Sequence, residues 1–116
     1  MNILIIGPAG SGKTSLTSKL SEWMLKSGIS RSVANLDPGA EALPYIPDYD
    51  VRSITTVNEL MAMEGLGPNG ALVRAAEVIE AHMDDVVTAI ESLPGDIKII
   101  DTPGQIEIFL FRRFGS

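Results

Sequence analysis

Gly7-Pro8-Ala9-Gly10-Ser11-Gly12-Lys13-Thr14 decides the reading of the chain, because it satisfies every fixed position of the phosphate-binding pattern GxxxxGK followed by Ser or Thr. Just upstream, Ile3-Leu4-Ile5-Ile6 is an unbroken branched apolar run of the kind that forms a strand buried on both faces. Just downstream, Leu16, Leu20, Trp23 and Met24 fall at helical spacing and predict a helix from Lys13 to Ser27, with Gly28 as its C′ residue. Trp23 shares that stripe and is read as core. Strand, glycine loop and helix therefore follow in the order the motif requires.

A polyphosphate needs several converging backbone N–H donors, and a side chain at a point of close approach would block them. Gly7, Gly10 and Gly12 remove that obstacle. The new helix adds its unpaired N–H groups and the positive end of its dipole. Lys13 can then reach the β- and γ-phosphates, and the Thr14 hydroxyl can ligate Mg²⁺.

With 116 residues the chain suits one modest domain, which buries roughly two-thirds of its unfolded surface. Nine basic residues against fifteen acidic ones give a net charge of −6 with no basic cluster. That balance disfavours a nucleic-acid or anionic-membrane surface and makes anion attraction a local matter. There is no cysteine, so disulfides and thiolate metal sites are excluded. The apolar run before Gly7 is too short for a signal peptide or a membrane span, and a soluble cytoplasmic protein is expected.

A second strand is predicted at Ser32-Val33-Ala34-Asn35-Leu36, stopped by Asp37-Pro38-Gly39. Two strands joined by a helix make a parallel unit, and Asp37 falls at the strand-end edge where ligands of such sheets bind. It either faces a magnesium ion or caps its own turn. Residues 40–54 lack a sustained period and read as an irregular crossing, with Tyr45 and Tyr49 as packing residues and Asp48 and Asp50 as solvated turn residues. Thr56 and Glu59 have capping-box spacing ahead of Leu60, Met61 and Met63, with Gly65 ending a short helix and the methionines filling core.

After Gly67-Pro68-Asn69-Gly70, the series Leu72, Ala76, Ile79, Met83, Val86, Ile90 and Leu93 predicts one long helix covering the sheet, closed by Pro94-Gly95. Asn69 has a local reading as its N-cap, and His82 reads as a surface residue. The third strand is Ile97-Lys98-Ile99-Ile100, leading into Asp101-Thr102-Pro103-Gly104-Gln105. An acidic residue at the end of an apolar strand in a phosphate-loop chain is the position that supports Mg²⁺, directly or through water. Gly104 permits close approach of backbone to a γ-phosphate, giving a nucleotide-dependent switch, and the Gln105 amide can orient an attacking water.

GPAGSGKTS, NLDPG, LPY, Gly67-Pro68-Asn69 and DTPGQIEIF, in this order, resemble the GPN-loop GTPases over the whole chain, and the compact form looks archaeal. The resemblance implies an α/β fold: the three-layer P-loop NTPase architecture, a parallel sheet flanked by helices, working as a homodimer on GTP with GDP as product. It implies that Gly7, Pro8, Ala9, Gly10, Ser11, Gly12, Lys13, Thr14 and Ser15 hold the triphosphate, with Gly104 close to it. Thr14, Asp37 and Asp101 then serve the metal and its water, and Gln105 positions the nucleophile. Gly67, Pro68 and Asn69 would reach the partner subunit's nucleotide site, and Glu107 matches a further active-site position.

Members of that family run to roughly twice this length, and the resemblance places their guanine-reading segment, Asn/Thr-Lys-x-Asp, after the DTPGQ stretch. None of the four lysines here, Lys13, Lys19, Lys26 and Lys98, is followed two residues later by Asp. The chain therefore reads as the N-terminal portion of such a protein, with a sheet edge and the apolar tail Ile106-Ile108-Phe109-Leu110-Phe111 lacking cover. Two further readings stay open: a non-catalytic nucleotide-binding or assembly module, and a phosphate-loop nucleotide kinase, against which DTPGQ argues. Protein clients are plausible by the family likeness, and nothing in the residues identifies one.

Overall fold

The computed structural model describes residues 2–6, 12–40 and 42–103, apart from the side chains of Leu4, Ile6 and Lys13. Strand β1 (Asn2–Ile6) is followed by α1 (Lys13–Lys26), β2 (Arg31–Asn35), the short β3 (Tyr49–Asp50) and a single 3₁₀ turn over Val51–Ser53. Helices α2 (Val57–Glu64), α3 (Pro68–Ala81) and α4 (Met83–Glu91) precede β4 (Ile97–Thr102). All four strands are parallel, in the order β1-β4-β2-β3. Strand β4 thus inserts between β1 and β2.

Residue alternation on β2 and β4 sorts the core into two faces. Val33 and Ile99 pack with Met24 of α1 on one side. Their neighbours Ala34 and Ile100 pack with Ile79, Met83, Val86 and Ile90 of α3 and α4 on the other. The result is the three-layer arrangement, helix, parallel sheet, helix, that the motif order anticipates. Helix α2 pairs with the start of α3 through Leu60, Ala71 and Ala75, a separate small cluster. Among the described residues no helix is long and apolar enough to cross a membrane.

Several expectations are corrected. Residues 40–54 are not wholly irregular, since Tyr49 and Asp50 add a fourth strand beside β2. The long helix is two helices broken at His82, an exposed residue with φ −106°. Its backbone N–H bonds the carbonyl of Ile79, one residue nearer than a regular helix uses, while its ring Nδ1 takes the carbonyl of Val78 at 2.8 Å. A side chain that takes the ladder's acceptor bends the helix without Pro or Gly.

On α1 the inward stripe is Thr17, Leu20, Ser21 and Met24, turned by one residue from the apolar series. The small polar Thr17 and Ser21 face the sheet, which leaves Leu16 and Trp23 exposed, Trp23 by 58%. Trp23 is therefore not core. Met63 is likewise exposed, whereas Met61 packs in the α2–α3 cluster as expected. The ends of α1 and α2 follow the sequence reading: Thr56 Oγ1 accepts from the Glu59 N–H, and Gly28 and Gly65 adopt φ of +76° and +65°.

Candidate functional site

Parallel pairing brings the C-terminal ends of all four strands to one edge. Ile5, Asp101, Asn35 and Asp50 lie in one register row across β1, β4, β2 and β3. Beyond that row β1 runs towards residues 7–11, and Gly12 caps α1 at φ +86° and ψ 2°. An L-residue there would be strained, so the last glycine of the motif is required by the backbone itself. Lys13 opens α1, Thr14 follows half-buried and Ser15 is exposed. Gly7, Pro8, Ala9, Gly10 and Ser11, together with Gly104, Gln105 and Glu107 and the tail beyond, lie outside the described residues, as does the Lys13 side chain.

Asp37 is buried just past the end of β2, inside a hydrogen-bonded turn. Its Oδ1 accepts from the Gly39 N–H at 2.9 Å, the local cap foreseen for an Asp-Pro-Gly turn. Its own N–H donates to Asn35 Oδ1 at 3.1 Å, and its carbonyl accepts from Asn35 Nδ2 at 3.2 Å. Asn35 is fully buried, and the same Nδ2 also reaches Asp50 Oδ1 at 3.0 Å. One amide thus ties the Asp37 backbone to β3.

Asp50, expected to be solvated, is a structural node. It caps the 3₁₀ turn through the Arg52 N–H and receives the Arg52 guanidinium on both carboxylate oxygens, the closest contact at 2.6 Å. Burial raises its pKa, but the hydrogen bonds from Arg52 and Asn35 outweigh that and hold it below the usual carboxylate range. Arg52 Nη1 donates onward to the carbonyl of Ala40, fastening the chain just after the Asp37 turn. Asp48 is also engaged, accepting from the Val33 N–H at 2.8 Å.

Asp101 is fully buried within β4, and its backbone carbonyl accepts from the Leu36 N–H at 2.7 Å, which brings the two carboxylate-bearing strand ends side by side. Its Oδ2 accepts from the Tyr45 hydroxyl at 3.0 Å. Burial, and then the Asp101 charge and hydrogen bond, push the Tyr45 phenol well above its ordinary pKa, so it remains a donor. Tyr45 therefore packs, as expected, and also reaches the Asp101 carboxylate, which was not expected.

Asn69 is not an N-cap. Gly67 occupies that position, Pro68 is the first helical residue and Asn69 follows it, exposed, with no side-chain cap formed. Pro at the first position needs no partner for a missing N–H. Pro68 lines a cleft of about 690 Å³ together with Pro38, Gly39, Arg52 and Thr56, so the start of α3 and the Asp37 turn open on one space.

The donors fit magnesium by type. A hydroxyl at Thr14 and carboxylates at Asp37 and Asp101 are hard oxygen donors. That suits an ion bound through one or two protein oxygens together with phosphates and water, in preference to an all-protein cage. A parallel sheet of this order, a left-handed glycine before the first helix and acidic residues at adjacent strand ends together define a phosphate-loop nucleotide-binding domain.

Comparison with known proteins narrows the class. Residues 5–116 match the family described as conserved hypothetical ATP binding protein. The chain is 42% identical over 117 residues to a GPN-loop GTPase of Pyrococcus abyssi, covering 99% of this chain and 46% of that protein. It is 36% identical over 118 residues to GPN-loop GTPase 1 of Dictyostelium discoideum, covering 100% of this chain and 30% of that one. A solved structure, described as a GTPase in apo form from Pyrococcus abyssi, superposes with a TM-score of 0.83 at 41% identity over 99% of this chain and 46% of that chain. The chain belongs to the GPN-loop GTPase family, and it spans less than half the length of these relatives.

Proposed function

We propose that the chain forms the phosphate- and metal-binding part of a cytoplasmic, Mg²⁺-dependent GTPase that works as a homodimer. The observation that carries this reading is the pair of buried carboxylates, Asp37 and Asp101, on adjacent strand ends at the edge where Gly12 opens α1. Backbone N–H groups at the start of α1 and the Lys13 ammonium would hold the β- and γ-phosphates. Thr14 and Asp101 would hold Mg²⁺, with Asp37 beside its water. Bound there, the ion supplies Lewis-acid stabilisation of charge on the phosphoryl oxygens. Gln105 would orient the attacking water, and Glu107 would support that end of the site.

Gly67-Pro68-Asn69 would act on the partner subunit's phosphates. The exposed place of Asn69 on the first turn of α3 supports this, because there its side chain is open to a partner. Gly104, next to the γ-phosphate, would make the segment nucleotide-sensitive and the dimer a switch in protein-complex assembly.

Two substitutions test the assignment. Lys13→Ala is expected to abolish measurable triphosphate binding, read by equilibrium titration of a non-hydrolysable GTP analogue. Asn69→Ala is expected to slow GTP hydrolysis by at least tenfold with little change in analogue affinity, since a group acting on the transition state changes turnover preferentially. Undiminished affinity in the first variant would reject the phosphate-loop assignment. Unchanged turnover in the second would reject the role of Asn69.

A further inference from the structure

Tyr45 comes from the segment after the Asp37 turn and reaches a carboxylate 56 positions further along the chain. The reach is fixed at several points. The body of Tyr45 packs against the Met24, Val33 and Ile99 cluster on the α1 face of the sheet. The preceding residue is held to α1, where Ser18 Oγ donates to the Pro44 carbonyl at 3.2 Å. Three residues on, Asp48 takes the Val33 N–H, and the Asp48 N–H returns to the Val33 carbonyl at 2.7 Å. The hydroxyl is thereby held over the end of β4 and meets a side chain with no exposure to solvent.

We propose that Tyr45 is a positioning residue for the metal-binding carboxylate: its hydroxyl fixes the rotamer of Asp101, so that the oxygens of Asp101 are presented to Mg²⁺ in one orientation. This rests on the assignment of Asp101 to the metal made above. A carboxylate on a short side chain retains rotation about its terminal bond, and a single donor to one oxygen removes it. A phenol suits the task because it donates one hydrogen bond, remains uncharged and carries a rigid apolar body that the α1-side core can grip. Such outer partners of ligands are commonly worth 10–100-fold in metal affinity. The same contact couples the 44–48 segment to the end of β4, so that the two neighbours of the nucleotide edge hold one geometry.

The test compares the unaltered chain, Tyr45→Phe, Asp101→Asn and the double variant. In each, a fluorescent non-hydrolysable GTP analogue is titrated at rising Mg²⁺ and, separately, in EDTA. Tyr45→Phe removes only the hydroxyl and leaves the packed ring. It is expected to raise the Mg²⁺ concentration for half-maximal binding by about tenfold, leaving binding in EDTA close to that of the unaltered chain, while the urea midpoint falls modestly because a buried carboxylate oxygen loses its donor. In the Asp101→Asn background the same change should add nothing. An unchanged Mg²⁺ requirement in Tyr45→Phe would overturn the proposal, as would an equal loss with and without Mg²⁺, which would give Tyr45 a purely structural role. Should Tyr45→Phe not fold, Tyr45→His, which restores a donor, is measured against Tyr45→Leu, and equal Mg²⁺ requirements in those two overturn it as well. Mg²⁺-independent binding by the unaltered chain would instead reject the metal assignment on which the proposal depends.

Discussion

The ends of β2 and β4 both bury an acidic side chain, but they hold it in opposite ways. Asp37 is secured by neighbours: Asn35 two residues before it, Gly39 two residues after it, and an Asp-Pro-Gly turn between strand and loop. Asp101 sits in the middle of the sheet, flanked by β1 and β2, and a side chain from a distant segment reaches it. A carboxylate that a turn caps can shift when the turn shifts. One gripped from a packed core has fewer ways to move. The Asp37 carboxylate is held by a contact within its own turn, and the Asp101 carboxylate by one from a segment far along the chain.

The largest expected effect breaks the β2 end. Asn35→Ala removes three hydrogen bonds and leaves the buried Asp37 N–H without its acceptor, so it should cost about 3 kcal/mol in the midpoint-derived stability from urea unfolding. A cost under about 1 kcal/mol would mean that water replaces the amide and that the turn holds itself.

A smaller effect sharpens the comparison through pH. The Asp50 pKa is depressed in the folded chain, chiefly by Arg52 against the opposing cost of burial, so its stabilisation is present above the unfolded carboxylate value of about 4 and is lost as pH falls through the folded value. Urea midpoints of the unaltered chain should therefore decline below about pH 4, and Asp50→Asn should flatten part of that decline. Identical pH profiles would show that the Asp50–Arg52 pair contributes no linkage at all. Tyr45→Phe completes the series at the β4 end, with the smallest change in stability and a change in Mg²⁺ requirement as its signature.

The same contrast explains what was legible in the sequence. Periodicity and glycine placement mark β1, α1, β2, α2 and β4 because each obeys a local rule: branched apolar runs for buried strands, capping-box spacing at Thr56, left-handed glycines at helix ends. Strand ends carrying acids were likewise readable, which placed Asp37 and Asp101. The parts that resisted reading depend on partners far away in the chain. Nothing in Tyr49-Asp50 alone marks a strand, since its pairing is made by Ala34 and Asn35. Asp50 looks like a solvated loop acid until Asn35 and Arg52 are brought to it, and Asp48, exposed as expected, also takes the Val33 N–H.

Two misreadings come from rotation by one residue. The apolar stripe on α1 pointed to Trp23, yet the sheet receives the small side chains of Thr17 and Ser21, and close approach rather than hydrophobicity sets the contact face. On the first turns of α3 the buried positions are Ala71 and Ala75, one residue before Leu72 and Ala76, because they pack against Leu60 of α2, whereas Ile79 is buried in the sheet-side core as the series implies. The break at His82 has no Pro or Gly to announce it and arises from a ring nitrogen competing for a helix carbonyl. Asn69 was ambiguous because an Asn before an apolar series is a common cap, and only the observed placement of Pro68 at the first helical position resolves its local role.

Calorimetric titration of the 116-residue chain with non-hydrolysable GTP and ATP analogues, with and without Mg²⁺, tests the central claim most directly. Saturable binding of the triphosphate analogues that Mg²⁺ tightens is the result that the phosphate-loop edge and its two carboxylates predict. Absence of binding by either analogue, or binding indifferent to Mg²⁺, would contradict it.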